Sequence, residues 1–240
     1  MKEIRLWGFV LSHLLKNNPV ILISVVHHEK GSPGKQGFRM AVSREGDYTG
    51  SVGGGVMELN ILKQSKNNLE SNIPVNKIET LYHNRKKSVR QSGLICAGAQ
   101  TNFILTINRK DIQKVKNILK YLNENKQGKI IFSNDGFDFE NEADGKNKNL
   151  FTFESENNWR YEESIGFRAI VIVAGCGHVG LAVCRIMCML DFHVISYDDR
   201  KDLQQIKENI YADEIIFDAY RNIENIIKNT GEEFIVIVTT

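Results

Sequence analysis

Residues 169–180 read Ala-Ile-Val-Ile-Val-Ala-Gly-Cys-Gly-His-Val-Gly, a β-branched run that ends in glycines at 175, 177 and 180. A G-x-G-x-x-G turn that follows a strand and opens a helix is the signature of a dinucleotide-type Rossmann unit. Gly175 permits the tight turn, Gly177 lets a pyrophosphate approach the backbone, and Gly180 lets helix and strand pack closely. Asp198, 23 residues after Gly175, is placed to accept from ribose hydroxyls. His178 falls at the helix start, where the dipole disfavours positive charge, so the expectation is a neutral imidazole that hydrogen-bonds a ligand. The turn specifies a fold and a class of ligand but no reaction.

Working outward, the sequence after Arg168 predicts strands at 169–174, 193–198, 214–217 and 234–239. They alternate with helices at 178–190, 201–209 and 221–229, the order of a parallel sheet with right-handed crossovers. Towards the N-terminus, Ile4, Leu6, Trp7, Val10, Leu11, Leu14 and Leu15 recur at helical spacing until Asn17-Asn18-Pro19. The run Val20 to Val26 is nearly all apolar and predicts a central strand covered on both faces. A hairpin turn is expected at 44–47, a helix from Val56 to about Lys66, strands at 77–82 and 101–107, and a helix at 111–122. Residues 123–165 are rich in Asn, Asp, Glu, Lys and Gly and read as a link with a few edge strands. The fold class expected is α/β. An N-terminal α/β module at 1–122 precedes a Rossmann-like parallel-sheet domain at 166–240, shortened at its C-terminus.

The 240 residues are 42% hydrophobic and 25% charged, within the globular range. Lys and Arg total 31 against 29 Asp and Glu, leaving no basic field for nucleic acid, and the cluster 85–90 reads as a solvated loop. No apolar run is long enough to span a membrane and no signal core follows Met1, so a cytoplasmic protein is expected. Cys96, Cys176, Cys184 and Cys188 show no paired spacing and no disulfide or metal framework is expected. Cys184 and Cys188 share a helix face that packs. Cys176 lies in the glycine turn.

Three further stretches are glycine-dense: Gly31-Ser-Pro-Gly-Lys-Gln-Gly-Phe-Arg-Met40, Gly50-Ser-Val-Gly-Gly-Gly-Val-Met-Glu58 and Ser92-Gly-Leu-Ile-Cys-Ala-Gly98. The glycines at 53–55 run into a helix, a junction that presents backbone N–H groups to an anion. Lys35 and Arg39 would complement an anionic ligand. Glu58, one turn into the helix, would orient a polar group or serve as acid or base. Cys96 lies in a glycine-flanked loop where basic neighbours favour the thiolate.

These stretches, with Val173-Ala-Gly-Cys-Gly-His-Val-Gly180 and Asp198-Asp-Arg200, resemble the XdhC/CoxI family of xanthine dehydrogenase accessory factors. They recur here in that family's order, covering about residues 20–107 and 165–240. The family's cysteine loop reads Cys-Gly-Gly or Cys-Ser-Gly; here Ala97 stands in the middle. The resemblance implies a two-domain chaperone that binds molybdenum cofactor and assists its sulfuration and insertion into a molybdenum hydroxylase, with a sulfur donor as second partner. It implies a cofactor-binding accessory protein rather than an enzyme. Cys96 and Glu58 would serve the chemistry, and Gly31, Ser32, Arg39, Gly53, Gly54, Gly55, Gly175, Gly177, His178, Gly180 and Asp198 would bind cofactor.

Two other readings share part of this evidence. An NAD(P)-dependent oxidoreductase would use the same Rossmann turn but needs a substrate base, and none is evident after Asp199. A structural subunit would bind no small molecule. A shortened sheet leaves an edge strand, and a homodimer is expected to cover it.

Overall fold

A computed structural model describes residues 2–83, 92–93, 98–141, 149–166, 168–227 and 233–238. Cys96 and the basic cluster 85–90 lie outside the described residues. The chain divides into two compact units, residues 2–166 and 167–240.

In the first unit, helix α1 (Lys2–Leu15) precedes strands β1 (Val20–His28), β2 (Arg39–Val42) and β3 (Tyr48–Gly50). Helix α2 (Gly55–Glu70), strands β4 (Asn76–Tyr82) and β5 (Ala99–Ile107) and helix α3 (Ile112–Asn123) follow. Strands β6 (Gly128–Ser133), β7 (Gly136–Glu140), β8 (Leu150–Ser155) and β9 (Asn158–Ile165) complete it. Helix α1 stops where its periodicity stops: Asn17 takes φ 61°, its N–H bonds the Leu14 carbonyl, and Pro19 begins the exit.

Strand β1 is the middle of the antiparallel sheet β3-β2-β1-β5-β4. Its continuous apolar run is explained by cover on both faces. Val20, Leu22 and Val26 join a core with Trp7, Leu14, Phe103, Val115 and Ile118. Ile21, Ile23 and Val25 face Val52 and the Met57, Ile61 and Leu69 side of α2. Residues 128–165, read from sequence as a link with edge strands, build a four-stranded antiparallel sheet, β7-β6-β9-β8. Ile130, Phe132, Phe137, Trp159, Tyr161 and Ile165 bury in the same core as α1.

The second unit runs β10 (Ile170–Ala174), α4 (His178–Met189), β11 (His193–Asp198), α5 (Gln204–Glu208), β12 (Glu214–Phe217), a 3₁₀ stretch at Tyr220–Ile226 and β13 (Glu233–Ile237). Its sheet is wholly parallel in the order β12-β11-β10-β13. The helices expected at 201–209 and 221–229 are shorter or tighter. Neither α5 nor the 3₁₀ stretch contains a fully buried residue, and Tyr220, Ile223 and Ile226 of the latter pack only part-buried against Ile170, Ile172, Ile195 and Tyr197. Gly180 is obligatory, because a Cβ there would collide with the Gly175 carbonyl.

One buried ion cluster crosses the first unit. The Arg39 guanidinium, 1% exposed, pairs with Glu163 of β9 and, at 3.0 Å, with Glu3 of α1. Tyr161 donates to Glu163 at 2.8 Å and the Trp7 indole to Glu3 at 3.0 Å. Burial opposes the charge on Arg39, but the two carboxylates outweigh it and hold the guanidinium protonated. Removing one partner strands the others in the core, so Arg39→Ala should cost about 3–5 kcal/mol. A melting temperature within a degree or two of the parent would show instead that the cluster contributes nothing net.

Candidate functional site

The site of the first unit is assembled at the start of β5. Gln100 and Asn102 alternate with Thr101 and Phe103, so they lie on the same sheet face as Ile104, turned towards α2. The Gln100 amide donates to the Val52 carbonyl at 2.9 Å and to Asn102 Oδ1 at 2.9 Å. Gly34 packs so tightly on this pair that a Cβ would collide with both Gln100 Oε1 and the Val52 carbonyl. The first two glycine stretches therefore meet backbone against side-chain amide.

The third stretch joins through His83, which follows β4. Ser32 Oγ lies 3.0 Å from His83 Nε2, and His83 Nδ1 lies 2.7 Å from Ser92 Oγ. Ser32 also donates to Gln100 Oε1 at 3.2 Å. Ser32, His83, Ser92, Gln100 and Asn102 are all buried. Burial pushes the His83 imidazole below its ordinary pKa, against the opposing pull of Gln100 and Glu29, so the ring is neutral near pH 7.

Proton positions follow from the acceptors. A backbone carbonyl only accepts, so the Val52 contact fixes the Gln100 NH₂ on that side and turns Oε1 towards Ser32. The Ser32 hydroxyl spends its one proton on Oε1 and accepts from His83 Nε2–H. A neutral imidazole then has a bare Nδ1, which accepts from the Ser92 hydroxyl. Ser32 and His83 are thus not arranged as nucleophile and base, because the Ser32 proton points away from the ring. The Asn102 Nδ2 group is buried and has no hydrogen-bond partner among the described residues. An unmet donor of this kind suits an acceptor supplied by a ligand.

Glu58 occupies the glycine loop itself. Its Oε1 accepts from Ser51 Oγ at 2.6 Å and from the Val52 and Gly54 N–H groups, each at 2.7 Å. Two of the loop amides expected to await an anion are therefore satisfied by a carboxylate four to six residues on. Glu58 here orders the loop rather than projecting as a free acid or base. Arg39 is likewise committed: its side chain enters the opposite face of the sheet, among Glu3, Glu163 and Phe132. Lys35 and Gly31 remain exposed.

In the second unit, Asp198 is fully buried. Its Oδ2 accepts from the Cys176 N–H at 2.6 Å and Arg200 Nη2 at 3.0 Å, and its Oδ1 from the Arg200 N–H and Nε. Four accepted bonds fill the capacity of a carboxylate and leave none for a ribose hydroxyl. Burial opposes its ionisation, but the Arg200 and Cys176 bonds prevail and hold the carboxyl well below the usual range. Asp198 thus staples the glycine turn to the end of β11. Gly177 caps α4 with open space where a Cβ would stand, and His178 is exposed, 3.0 Å from the Gln205 amide. Cys176 is buried against Ser196 at 2.9 Å, and Cys184 is buried in the core.

His83, Gln100 and Asn102 escaped the sequence reading. The available signal was the alternation Gln100-Thr-Asn102 inside a strand otherwise built for burial.

Residues 13–79 match the model of the XdhC and CoxI family. No curated protein matches the sequence. A solved structure described as a xanthine dehydrogenase from Bacillus halodurans superposes with a TM-score of 0.73 at 17% identity, over 99% of this chain and 74% of that one. At that identity the likeness is one of fold. Among the described residues no helix is long and apolar enough to cross a membrane, and no group of His, Cys, Asp and Glu could hold a metal ion.

The depressed pKa of His83 makes stability depend on pH. The unfolded chain takes up this proton near pH 6.5 and the folded chain only at lower pH, so the contribution is full above about 6.5 and is lost as pH falls through the folded value. His28, lowered by burial and by Lys35, acts in the same direction. Melting temperature should fall between pH 7 and pH 5, and His83→Asn should flatten part of that fall. An equally steep fall in the variant would show that His83 does not titrate in this window.

Proposed function

From a chain whose residues 13–79 match the model of the XdhC and CoxI family, we propose that this protein is a maturation factor for a molybdenum hydroxylase of the xanthine dehydrogenase type. It binds molybdenum cofactor and assists its sulfuration and insertion, with Cys96 as the thiol. The single observation that supports this reading is the cluster of Ser32, His83, Ser92 and Gln100, which joins the three glycine stretches that carry the resemblance.

The residues present fit such a ligand. The pterin ring offers acceptors to the unpartnered Asn102 Nδ2, and a phosphate at the glycine loop would have to take over the Gly53 and Gly54 N–H groups that Ser51 and Glu58 now hold. When bound, the group supplies a metal centre that takes terminal sulfur. What this chain contributes is a thiol at 96 suited to soft metals and sulfur donors, and a loop held in shape by Glu58. The accessory role, the hydroxylase and sulfur-donor partners, and a homodimer covering the edge of the parallel sheet belong to the same proposal. The NAD(P)-dependent oxidoreductase reading draws on the turn at 175–180 alone, and Asp198 has no lone pair left for the ribose contact it would need.

Two experiments test the proposal. Purified from cells that make the cofactor, the wild type should release a fluorescent pterin on denaturation, and Cys96→Ser should carry several-fold less and fail to activate the hydroxylase. Full cofactor content and activation in the variant would remove the thiol from the mechanism. Gly177→Val should fold, given the open space at that position, and should lose any nucleotide affinity of the second unit. Unchanged nucleotide affinity in the folded variant would make the turn architectural.

A further inference from the structure

A cleft of about 580 Å³ opens between the first turns of α1 and the β2–β3 hairpin. That volume falls within the roughly 300–1,000 Å³ of small-molecule sites. Two large aromatic side chains line it from the hairpin, Phe38 at the entry to β2 and Tyr48 at the start of β3, and both stay wet, 44% and 54% exposed. Lys2 and Arg5 line it from the helix, three residues apart and so on one face. Both cations are exposed, and neither has an ion pair among the described residues.

Two members of the buried ion cluster, Glu3 and Arg39, also line the cleft. Glu3 Oε2 accepts from the Trp7 indole and from Arg39 Nη1, while Oε1 has no hydrogen bond among the described residues and the side chain remains 31% exposed. Arg39 commits Nη1 and Nη2 to the two carboxylates, but its buried Nε has no partner among the described residues. The cleft therefore combines flat apolar surface, two unpaired cations, one carboxylate acceptor and one unmet donor.

We propose that this cleft binds a phosphorylated nitrogen heterocycle of the nucleoside monophosphate class. The ring lies against Phe38 and Tyr48, Lys2 and Arg5 meet the phosphate, and an exocyclic amino group donates to Glu3 Oε1. A ring nitrogen or ribose oxygen supplies the acceptor that Arg39 Nε lacks. A bare anion would meet the two cations but also the Glu3 carboxylate, and would leave the aromatic surface wet. An uncharged heterocycle would leave Lys2 and Arg5 unused. The site is separate from the Gln100 cluster, which faces α2, and it stands whether or not the chain serves a molybdenum hydroxylase.

The test is titration calorimetry on the full chain carrying Gly177→Val, so that the turn of the second unit adds no nucleotide affinity. Adenosine monophosphate should bind one to one in the micromolar range, and adenosine and inorganic phosphate should each bind about tenfold more weakly or worse. Lys2→Gln together with Arg5→Gln should weaken the monophosphate about tenfold and leave adenosine unchanged. Tyr48→Ala should weaken the monophosphate and adenosine alike, about fivefold. All three side chains are exposed, so these variants should keep the parent's circular dichroism and melting temperature. No binding of the monophosphate, or an affinity that ignores both sets of substitutions, overturns the site. Inorganic phosphate binding as tightly as the monophosphate would make the cleft an anion site only and overturn the heterocycle.

Discussion

The Gln100 side-chain amide, donating to the Val52 carbonyl, is the bond on which the arrangement of the first unit's site depends. It lies at the head of β5, buried on the face turned towards α2, where an unmet carbonyl would be costly. Once the amide is fixed there, its oxygen faces the first glycine stretch and dictates the direction of every proton as far as Ser92. The same amide excludes any side chain at position 34, which is why that stretch can lie flat over the strand end. One side chain thereby sets both the shape of the loops and the polarity of the network beneath them.

The sheet beneath explains how such a cluster is tolerated. Strand β1 is buried on both faces from Val20 to Val26, and the glycine loop leaves it just beyond, after His27 and His28. Arg39, on the adjacent β2, sends its charge to the other side of the sheet, where Glu3 and Glu163 meet it. The charged cluster and the neutral polar cluster are thus separated by the sheet, and neither perturbs the other's protonation directly.

Much of the fold was legible where periodicity was strong. The apolar run of β1, the α1 stripe ending at Asn17, and the Gly175–Gly180 turn each carry their structure locally. Residues 128–165 were not legible as a sheet, because their apolar positions are isolated aromatics such as Phe137, Trp159 and Tyr161 among charged neighbours. Their burial depends on a partner surface supplied by α1, α3 and β5, of which α1 lies at the far end of the unit's sequence. The site was legible in part. Glycine density marked the loops, but the residues that join them, His83, Gln100 and Asn102, sit in or beside strands, where only the polar alternation Gln100-Thr-Asn102 marks two of them. Glu58 and Asp198 were noticed as carboxylates facing ligand groups, whereas both are turned inward onto the chain's own N–H groups. A sequence shows that a carboxylate is near a glycine loop; only the backbone path shows that it is near enough to be the loop's own ligand.

That internal ligation by Glu58 bears on how any anion would reach the loop. A site of bare amides gathers negative charge from solution, and added salt weakens its attraction. Here the Val52 and Gly54 amides already face a full negative charge, so an incoming phosphate would exchange one anion for another and displace Glu58 into water. The local charge would change less than in filling an empty anion hole, and the response to ionic strength would be correspondingly shallow. Selectivity would then turn on shape and on the number of acceptor oxygens, because the loop discriminates among anions only by how much better than a carboxylate each one fits.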